Sequence, residues 1–171
     1  MTKTTGLVLA LCLIAPQAAL AAEAPQQIGT FKDWLAYTVT EGKAKTCYIA
    51  SEPVKQEGTF KSRGRPFALV TNRPSENVAG QPSFLVGYPY KDKSEPTATV
   101  ANRAFKLFAE GDTAWVRDDD GGDSALVEAM KKGATLVVRA TSQRETTSTD
   151  TYSLDGFTAA LQAIDEACKA P

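Results

Sequence analysis

The feature that most limits the fold of this chain is a series of short apolar segments of β type, separated by turn residues. Valine, threonine and aromatic residues are frequent in these segments, as they are in strands. Between two of them, Glu110, Gly111 and Asp112 predict a hairpin turn. This spacing predicts a mainly β fold, an antiparallel β-sandwich or a barrel-like domain. The predicted strands comprise residues 34–39, 46–51, 66–71, 83–88, 105–108, 114–116, 135–141 and 146–152.

Two segments have helical patterns and add a short helix and a C-terminal helix to this prediction. The first is residues 124–132, with Asp123 or Ser124 as a predicted N-cap and with Gly133 just after its end. The last segment has apolar residues at spacings of three and four, which places them on one face of an α-helix that packs on the strands. That face comprises Leu154, Phe157, Leu161, Ile164 and Cys168.

The first residues have the layout of a secretory signal peptide. Lys3 gives a basic start, residues 6–15 are almost entirely apolar, and small residues precede a predicted cleavage site between Ala21 and Ala22. A transmembrane anchor needs about 20 apolar residues, and Pro16 interrupts this run too early. We therefore predict export, with no integral membrane segment after signal cleavage.

The length of 171 residues suits one domain behind a removable segment. The predicted organisation is a signal peptide over residues 1–21, a flexible leader over residues 22–30 and a single β domain over residues 31–171. The leader is predicted because its first residues, AEAPQQ, have the composition of a loose segment.

Cleavage leaves Cys47 and Cys168 as the two remaining thiols. An even number of cysteines in an exported chain favours a disulfide bond. Cys168 lies on the apolar face of the C-terminal helix, where it can meet a core-facing Cys47 from a strand. A bridge that closes a loop of about 120 residues contributes at most about 5 kcal/mol. Two separate buried thiols remain the alternative, whereas two cysteines without histidine do not complete a tetrahedral metal site.

The absence of histidine removes whole classes of chemistry. Ser-His-Asp and Cys-His catalysis need an imidazole, and no nucleophile elbow, phosphate-binding loop or dinucleotide glycine pattern is present. Paired carboxylates remain as a route to hydrolysis, but the acidic residues mostly fall in predicted turns. With 19 Lys and Arg against 20 Asp and Glu, the net charge of −1 argues against a nucleic-acid binder. We predict no catalytic residue, no cofactor and no metal ligand.

An acidic cluster at residues 118–123 (DDDGGD) raises the question of calcium. Calcium needs six to eight oxygen ligands, and the fixed spacing of an EF-hand loop is not met here, since Val116 and Val127 fall at the first and twelfth positions. Two interpretations remain open. The cluster is either an irregular calcium site or a solvated loop that also places Asp123 near a helix N-terminus.

Three further patterns have a structural and a binding interpretation. Residues 63–65 (RGR) are an exposed basic loop or a small anion-binding turn, with the exposed loop favoured. Residues 88–90 (YPY) close a predicted strand and are compatible with a contact surface at a sheet edge. The remaining aromatic residues in strand or helix segments are predicted to lie mostly in the core. They are Trp34, Tyr48, Phe67, Phe84, Phe105, Trp115 and Phe157.

The C-terminal residues 150–160 (DTYSLDGFTAA) and 163–168 (AIDEAC) resemble the invasion associated locus B family of exported proteins from Gram-negative bacteria. Nearly all of the predicted mature chain shares this resemblance, and the DTYSL segment is its most specific part. Further matching pieces occur in the same order. They are 31–34 (FKDW), 47–51 (CYIAS), 105–108 (FKLF), Gly111-Asp112 with Ala114-Trp115, and Ala129-Met130 with Gly133.

The chain departs from the family pattern in two places. Glu145 follows Arg144 where the family often has glycine, which puts a tight turn there in doubt. Many members carry a cysteine shortly after the first tryptophan, whereas this chain has residues 35–37 (LAY), so no additional N-terminal bridge is expected. The physical interpretation of the DTYSL segment is that a strand leads into the terminal helix near Ser153 or Asp155. Asp150, Ser153 and Asp155 then satisfy amides at the helix start, and Tyr152 and Phe157 pack inward.

The resemblance implies a periplasmic or surface protein that is linked in some bacteria to entry into host cells, with no established catalytic mechanism. We therefore expect an exported, non-enzymatic protein, located in the periplasm, on the outer surface or secreted. It is expected to act through contacts with an unidentified protein or envelope component, in the envelope or on host cells. The alternative is a periplasmic small-ligand binder or a carboxylate-based hydrolase.

Overall fold

The computed structural model describes residues 23–169 and has the predicted mainly β, antiparallel architecture with two helices. The predicted signal peptide, 1–21, and the cleavage site between Ala21 and Ala22 lie outside the described residues. The strands and helices are β1 (Gln26–Phe31), β2 (Trp34–Glu41), β3 (Ala44–Ser51), β4 (Lys55–Glu57), β5 (Phe67–Arg73), β6 (Val78–Leu85), β7 (Thr97–Val100), β8 (Arg103–Glu110), β9 (Thr113–Val116), α1 (Gly122–Lys132), β10 (Thr135–Thr141), β11 (Thr147–Ser153) and α2 (Phe157–Cys168).

The strands form one 11-stranded antiparallel sheet that is open, so it does not close into a barrel. The spatial order is β1, β2, β3, β5, β6, β9, β8, β7, β10, β11 and β4, which places β1 and β4 at the two ends. The hairpin predicted around Gly111 is confirmed, since β8 pairs with β9 from Glu110 and Thr113 onward. Glycine suits this tight turn because its φ is +63°.

Along the central strands, successive side chains point alternately to a buried inner face and to a partly exposed outer face of the sheet, as in any pleated strand. Small side chains occupy many inner positions, and α2 contacts β1, β2, β3 and β5, whereas α1 contacts β6, β7 and β9. Small inner side chains let the helices approach the sheet closely enough for dense packing. These inner alanines are Ala36, Ala68, Ala98 and Ala114, all fully buried.

The C-terminal helix α2 packs with the predicted face toward the sheet. Phe157, Leu161, Ile164 and Cys168 are buried on it. The disulfide between Cys47 and Cys168 is confirmed, with a Cα–Cα distance of 5.9 Å. The helix is therefore tied covalently to the inner face of β3.

A second contact holds α2 close to this bridge. Asn72, buried on β5 beside Cys47, donates from Nδ2 to Oδ1 of Asp165 at 2.8 Å. Its own Oδ1 accepts a hydrogen bond from Gly80 N at 2.6 Å. One amide side chain thus links two strands and a helix.

The N-cap predicted for the short helix α1, Asp123 or Ser124, is wrong. It begins at Gly122 after an N-cap at Gly121, which has φ +87°, and no side chain caps it. Instead of capping, Ser124 donates from Oγ back to the carbonyl of Gly121 at 3.4 Å. The left-handed glycine already turns the chain into the helix, so neither Asp123 nor Ser124 is needed for this. Gly133 does follow its end, as predicted.

The flexible leader predicted over residues 22–30 is corrected for residues 26–30, because Gln26–Phe31 form β1 and pair with β2. β1 is an edge strand whose residues are mostly exposed, so it has no apolar alternation that would reveal it. The ordered sheet therefore begins before residue 31. Within residues 23–169, neither helix combines the length and the apolar character that a membrane crossing requires.

Candidate functional site

A buried ion pair joins a loop to β11, the last strand along the chain. Asp150 lies on the inner face of β11 with its side chain 0% exposed, and Arg63, from the loop between β4 and β5, is 7% exposed. Arg63 Nη1 donates to Asp150 Oδ1 at 2.8 Å, and Nη2 donates to Oδ2. Arg63 Nε also donates to the carbonyl of Val86 at 2.6 Å. The guanidinium is thus held from two sides and fixes the loop against the sheet.

This pair corrects two predictions. Arg63 does not lie in an exposed basic loop, although Arg65 does lie exposed and pairs with Glu52. Asp150 does not satisfy amides at the start of α2, because its carboxylate is bound to Arg63. Ser153 does accept a backbone hydrogen bond there, from Asp155 N at 3.1 Å.

Two aromatic rings surround the Arg63 guanidinium. Phe60 and Tyr88 stack with ring centroids 5.7 Å apart, and Arg63 Cζ lies 5.0 Å and 5.3 Å from the two centroids. Burial alone lowers the pKa of Arg63, but the hydrogen bonds and charge of Asp150 outweigh it and raise that pKa. Burial also raises the pKa of Tyr88, whose hydroxyl is bonded to Ser148. A charged guanidinium and a neutral phenol are therefore stable neighbours at neutral pH.

A cavity of about 830 Å³ opens beside this cluster, and we call it the basic groove. Three loops meet around it, at residues 59–64, 87–89 and 142–146. Among its described lining residues, three are basic and none is acidic. The lining residues are Thr59, Phe60, Lys61, Ser62, Arg63, Gly64, Gly87, Tyr88, Pro89, Ser142, Gln143, Arg144 and Thr146.

The turn in the third of these loops is tight even without the glycine that the family often has. Glu145 has φ +63°, and its amide donates to the carbonyl of Ser142 at 2.9 Å. Ser142 Oγ also accepts hydrogen bonds from Arg144 N and Thr146 N, both at 3.2 Å. The serine side chain thus stabilises the turn, which answers the doubt that the Glu145 departure raised.

A second groove, of about 710 Å³, lies on the outer face of β2, β3, β5 and β6, and we call it the tyrosine groove. Tyr37 and Tyr48 stack on its floor with centroids 5.2 Å apart and ring planes at 18°. Its other apolar lining residues are Pro25, Leu35, Ala50, Phe67, Leu69 and Leu85. Its remaining lining residues are Lys32, Asp33, Ser51, Glu52 and Arg65.

A row of outer-face residues continues from this groove across the sheet. The strand registers place its members next to one another. Phe108 stacks on Trp115 with centroids 5.7 Å apart and is 48% exposed. The row comprises Leu35, Ala50, Leu69, Ser83, Trp115 and Phe108.

Three of the seven aromatic residues predicted to lie mostly in the core belong to this outer face. Tyr48, Phe67 and Trp115 are partly exposed, whereas Trp34, Phe84, Phe105 and Phe157 are fully buried. The strands concerned are apolar on both faces, so their composition does not show which face meets the helices. In two of these strands the inner position next to the aromatic residue is a fully buried alanine, Ala68 beside Phe67 and Ala114 beside Trp115.

The acidic cluster at 118–123 contains a short turn, Asp118–Asp120, followed by the start of α1. Among the described residues, no group of three or more His, Cys, Asp or Glu side chains is arranged to hold a metal ion. Asp123 does lie in the first turn of α1, as the solvated-loop interpretation proposed. Burial and the neighbouring charge of Asp118 raise the pKa of Asp123 to about 6.

Asp123→Asn should stabilise the protein at about pH 8 and change its stability little near pH 4. Folding raises the pKa of this carboxyl from 3.8 to about 6, so the folded state favours the protonated form. The free energy of unfolding is therefore highest at low pH and falls as the pH rises through that range. The side chain is only half-buried, so we expect a gain of about 1 kcal/mol at the higher pH. Thermal unfolding at both pH values measures it, and equal gains at both would contradict the titration of Asp123.

The residues that carry the family resemblance meet in space. Trp34 Nε1 donates to the carbonyl of Ser153 at 3.0 Å, and its ring packs edge-on against Phe157 with centroids 5.0 Å apart. Gly156 has φ +89°, and a Cβ there would lie 1.9 Å from the carbonyl oxygen of Phe31. The segment 31–34 therefore packs on the junction between β11 and α2.

Comparison with known protein families covers most of the same residues. No curated protein and no solved structure matches the chain. A family model, described as "Invasion associated locus B (IalB) protein", matches residues 34–165, which is more than half of the chain. The match includes the Trp34–Phe157 contact and the Arg63–Asp150 pair. The chain belongs to the invasion associated locus B (IalB) protein family.

Proposed function

We propose that this protein is exported and acts without catalysis, by binding a second protein of the cell envelope or of a host surface. The observation that carries the proposal is the tyrosine groove, together with the stacked pair Phe108 and Trp115 on the same outer face. Partly exposed aromatic side chains grouped on one face are typical of protein contact surfaces, where tyrosine and tryptophan contribute most of the binding energy. Family membership supports the same interpretation, since the family resemblance implies no established catalytic mechanism.

The charges around the tyrosine groove indicate what kind of partner fits it. Lys32 and Arg65 are balanced by Asp33 and Glu52, so the charged residues of the groove carry no net charge. Its floor combines aliphatic side chains with two tyrosine rings, which bury apolar surface and still offer hydroxyl groups. The matching occupant is an uncharged, apolar segment of the partner protein.

Two observations support export to the periplasm or the outer surface. The first residues have the basic, apolar and small-residue order of a signal peptide. The bond between Cys47 and Cys168 suits an oxidising compartment, where such bonds persist. Both compartments lie beyond the inner membrane, so a folded protein there meets envelope or host proteins directly.

A photoreactive amino acid at position 37, introduced in living cells, should give one discrete cross-linked product with a second protein. The same probe at Lys43, in the exposed turn between β2 and β3, is the control and should not give this product. Leu69→Arg places an unmatched charge on the groove floor and should remove the product, because burying an unpaired charge is costly. Thermal unfolding of Leu69→Arg checks that the domain still folds.

The same cells also test the location. Protease added before and after osmotic opening distinguishes the outer surface from the periplasm, and export predicts a mature chain that begins at Ala22. A product that consists of two copies of this chain, or the same product from the Lys43 probe, would contradict a partner protein at the tyrosine groove. An uncleaved chain in the cytoplasm would contradict export.

A further inference from the structure

We propose that the basic groove binds a phosphate monoester whose organic part is flat and apolar. The basic groove is separate from the tyrosine groove, and this proposal does not depend on the function proposed for the tyrosine groove. The proposal rests on three features of the groove: its charge, its aromatic wall and the way in which its loops are held.

The charge of the groove is opposite to that of the chain. The whole chain carries a net charge of −1, yet Lys61, Arg63 and Arg144 line the groove with no acidic residue among the described lining residues. Asp150 pairs with Arg63 and neutralises its charge. Glu145, next to Arg144 in the chain, is bound instead to Lys91 at 2.8 Å. Two cations therefore remain to face a ligand, which matches the double charge of a phosphate monoester better than the single charge of a carboxylate.

The aromatic wall of the groove is held rigidly. The stacked rings of Phe60 and Tyr88 line the cavity, and the Arg63 guanidinium that lies close to both is fixed by Asp150 and by the carbonyl of Val86. A wall that is already ordered loses little conformational entropy when a ligand binds. A flat apolar group has matching surface to bury against these rings.

Close backbone contact brings two of the loops together at the groove. Gly64 N donates to the carbonyl of Gly87 at 2.9 Å. A Cβ on Gly87 would lie 2.2 Å from the carbonyl oxygen of Gly64, and φ at Gly87 is +74°, so only glycine allows this approach. The third loop is ordered as well, because Ser142, which also lines the groove, accepts two backbone hydrogen bonds at its Oγ. The cavity is therefore built from ordered parts on both sides.

The test uses phenyl phosphate as the probe, titrated into the purified mature chain and followed by calorimetry. Lys61→Ala and Arg144→Ala should each weaken binding about tenfold, because each removes one charge-assisted contact. Lys43→Ala, in the exposed turn of the β2–β3 hairpin, is the matched control and should change binding less than about twofold. All three residues are exposed, so the variants should melt like the wild type, which thermal unfolding checks.

Two further probes separate the parts of the ligand. Inorganic phosphate lacks the ring and benzoate lacks the second charge, so each should bind at least about tenfold more weakly than phenyl phosphate. Equal affinity for inorganic phosphate would overturn the role of the aromatic wall, and equal affinity for benzoate would overturn the preference for a doubly charged group. No heat of binding at about 5 mM phenyl phosphate, or equal losses in Lys61→Ala and Lys43→Ala, would overturn the site itself.

Discussion

Asp150→Asn should lower the free energy of unfolding by about 3–5 kcal/mol, because it leaves the buried Arg63 guanidinium without its counter-charge. The change is nearly isosteric, so the loss reports the charge rather than a cavity. The loop that carries Arg63 loses its main attachment to β11 at the same time. Urea unfolding at neutral pH, followed by circular dichroism and by tryptophan fluorescence, measures the loss and tests for a two-state transition.

The exposed pair between Arg65 and Glu52 is the natural control. Glu52→Gln removes the same kind of charge from a solvated pair and should cost less than about 1 kcal/mol. The double variant Arg63→Met, Asp150→Leu should lose less stability than Asp150→Asn, since it leaves no unpaired charge in the interior. Equal losses for Asp150→Asn and Glu52→Gln would show that burial does not govern the energy of the Arg63–Asp150 pair.

Replacing both Cys47 and Cys168 by serine should lower the free energy of unfolding by about 2–5 kcal/mol. The bridge spans 121 residues of sequence, so its removal releases a large restriction on the unfolded chain. It also removes the covalent attachment of α2, which is then held by its apolar face and by polar contacts such as the one between Asn72 and Asp165. Chemical unfolding of the mature chain under oxidising conditions measures this loss.

Reductant provides the internal control for this prediction. Reduced wild type should unfold at nearly the same urea concentration as the double serine variant, and the variant itself should not respond to reductant. Identical unfolding of the oxidised wild type and the double serine variant would show that the bridge between Cys47 and Cys168 does not stabilise the fold.

Strong local periodicity explains the parts of the fold that were predicted well. The strand predicted over residues 135–141 is β10 with the same bounds, because Thr135–Thr141 is a β-branched, apolar run. The apolar face of α2 recurs every three or four residues, so it indicated both the helix and the buried position of Cys168. The start of α2 was placed too early, since the left-handed Gly156, not a polar cap, turns the chain into it.

The elements missed are those that owe their structure to their neighbours. β1 and β4 lie at the ends of the sheet and are almost entirely exposed. Neither strand contains a buried residue that would produce an apolar alternation, and each is placed by its backbone pairing with β2 or β11 and, for β1, also by its contact with α2. β7, Thr97–Val100, is too short for a clear period, although it pairs with β8 and β10.

The amino-acid pattern was sufficient for the mainly β class, the terminal helix, the cysteine pair and the family. These properties follow from local periodicity, residue type and short motifs, which can be read without knowing which segments meet. Both grooves depend on contacts between distant residues. Arg63 and Asp150 are 87 positions apart, and the outer row takes one residue from each of six strands. The packing of the two helices decides which face of the sheet is covered, and therefore which aromatic side chains remain available for binding.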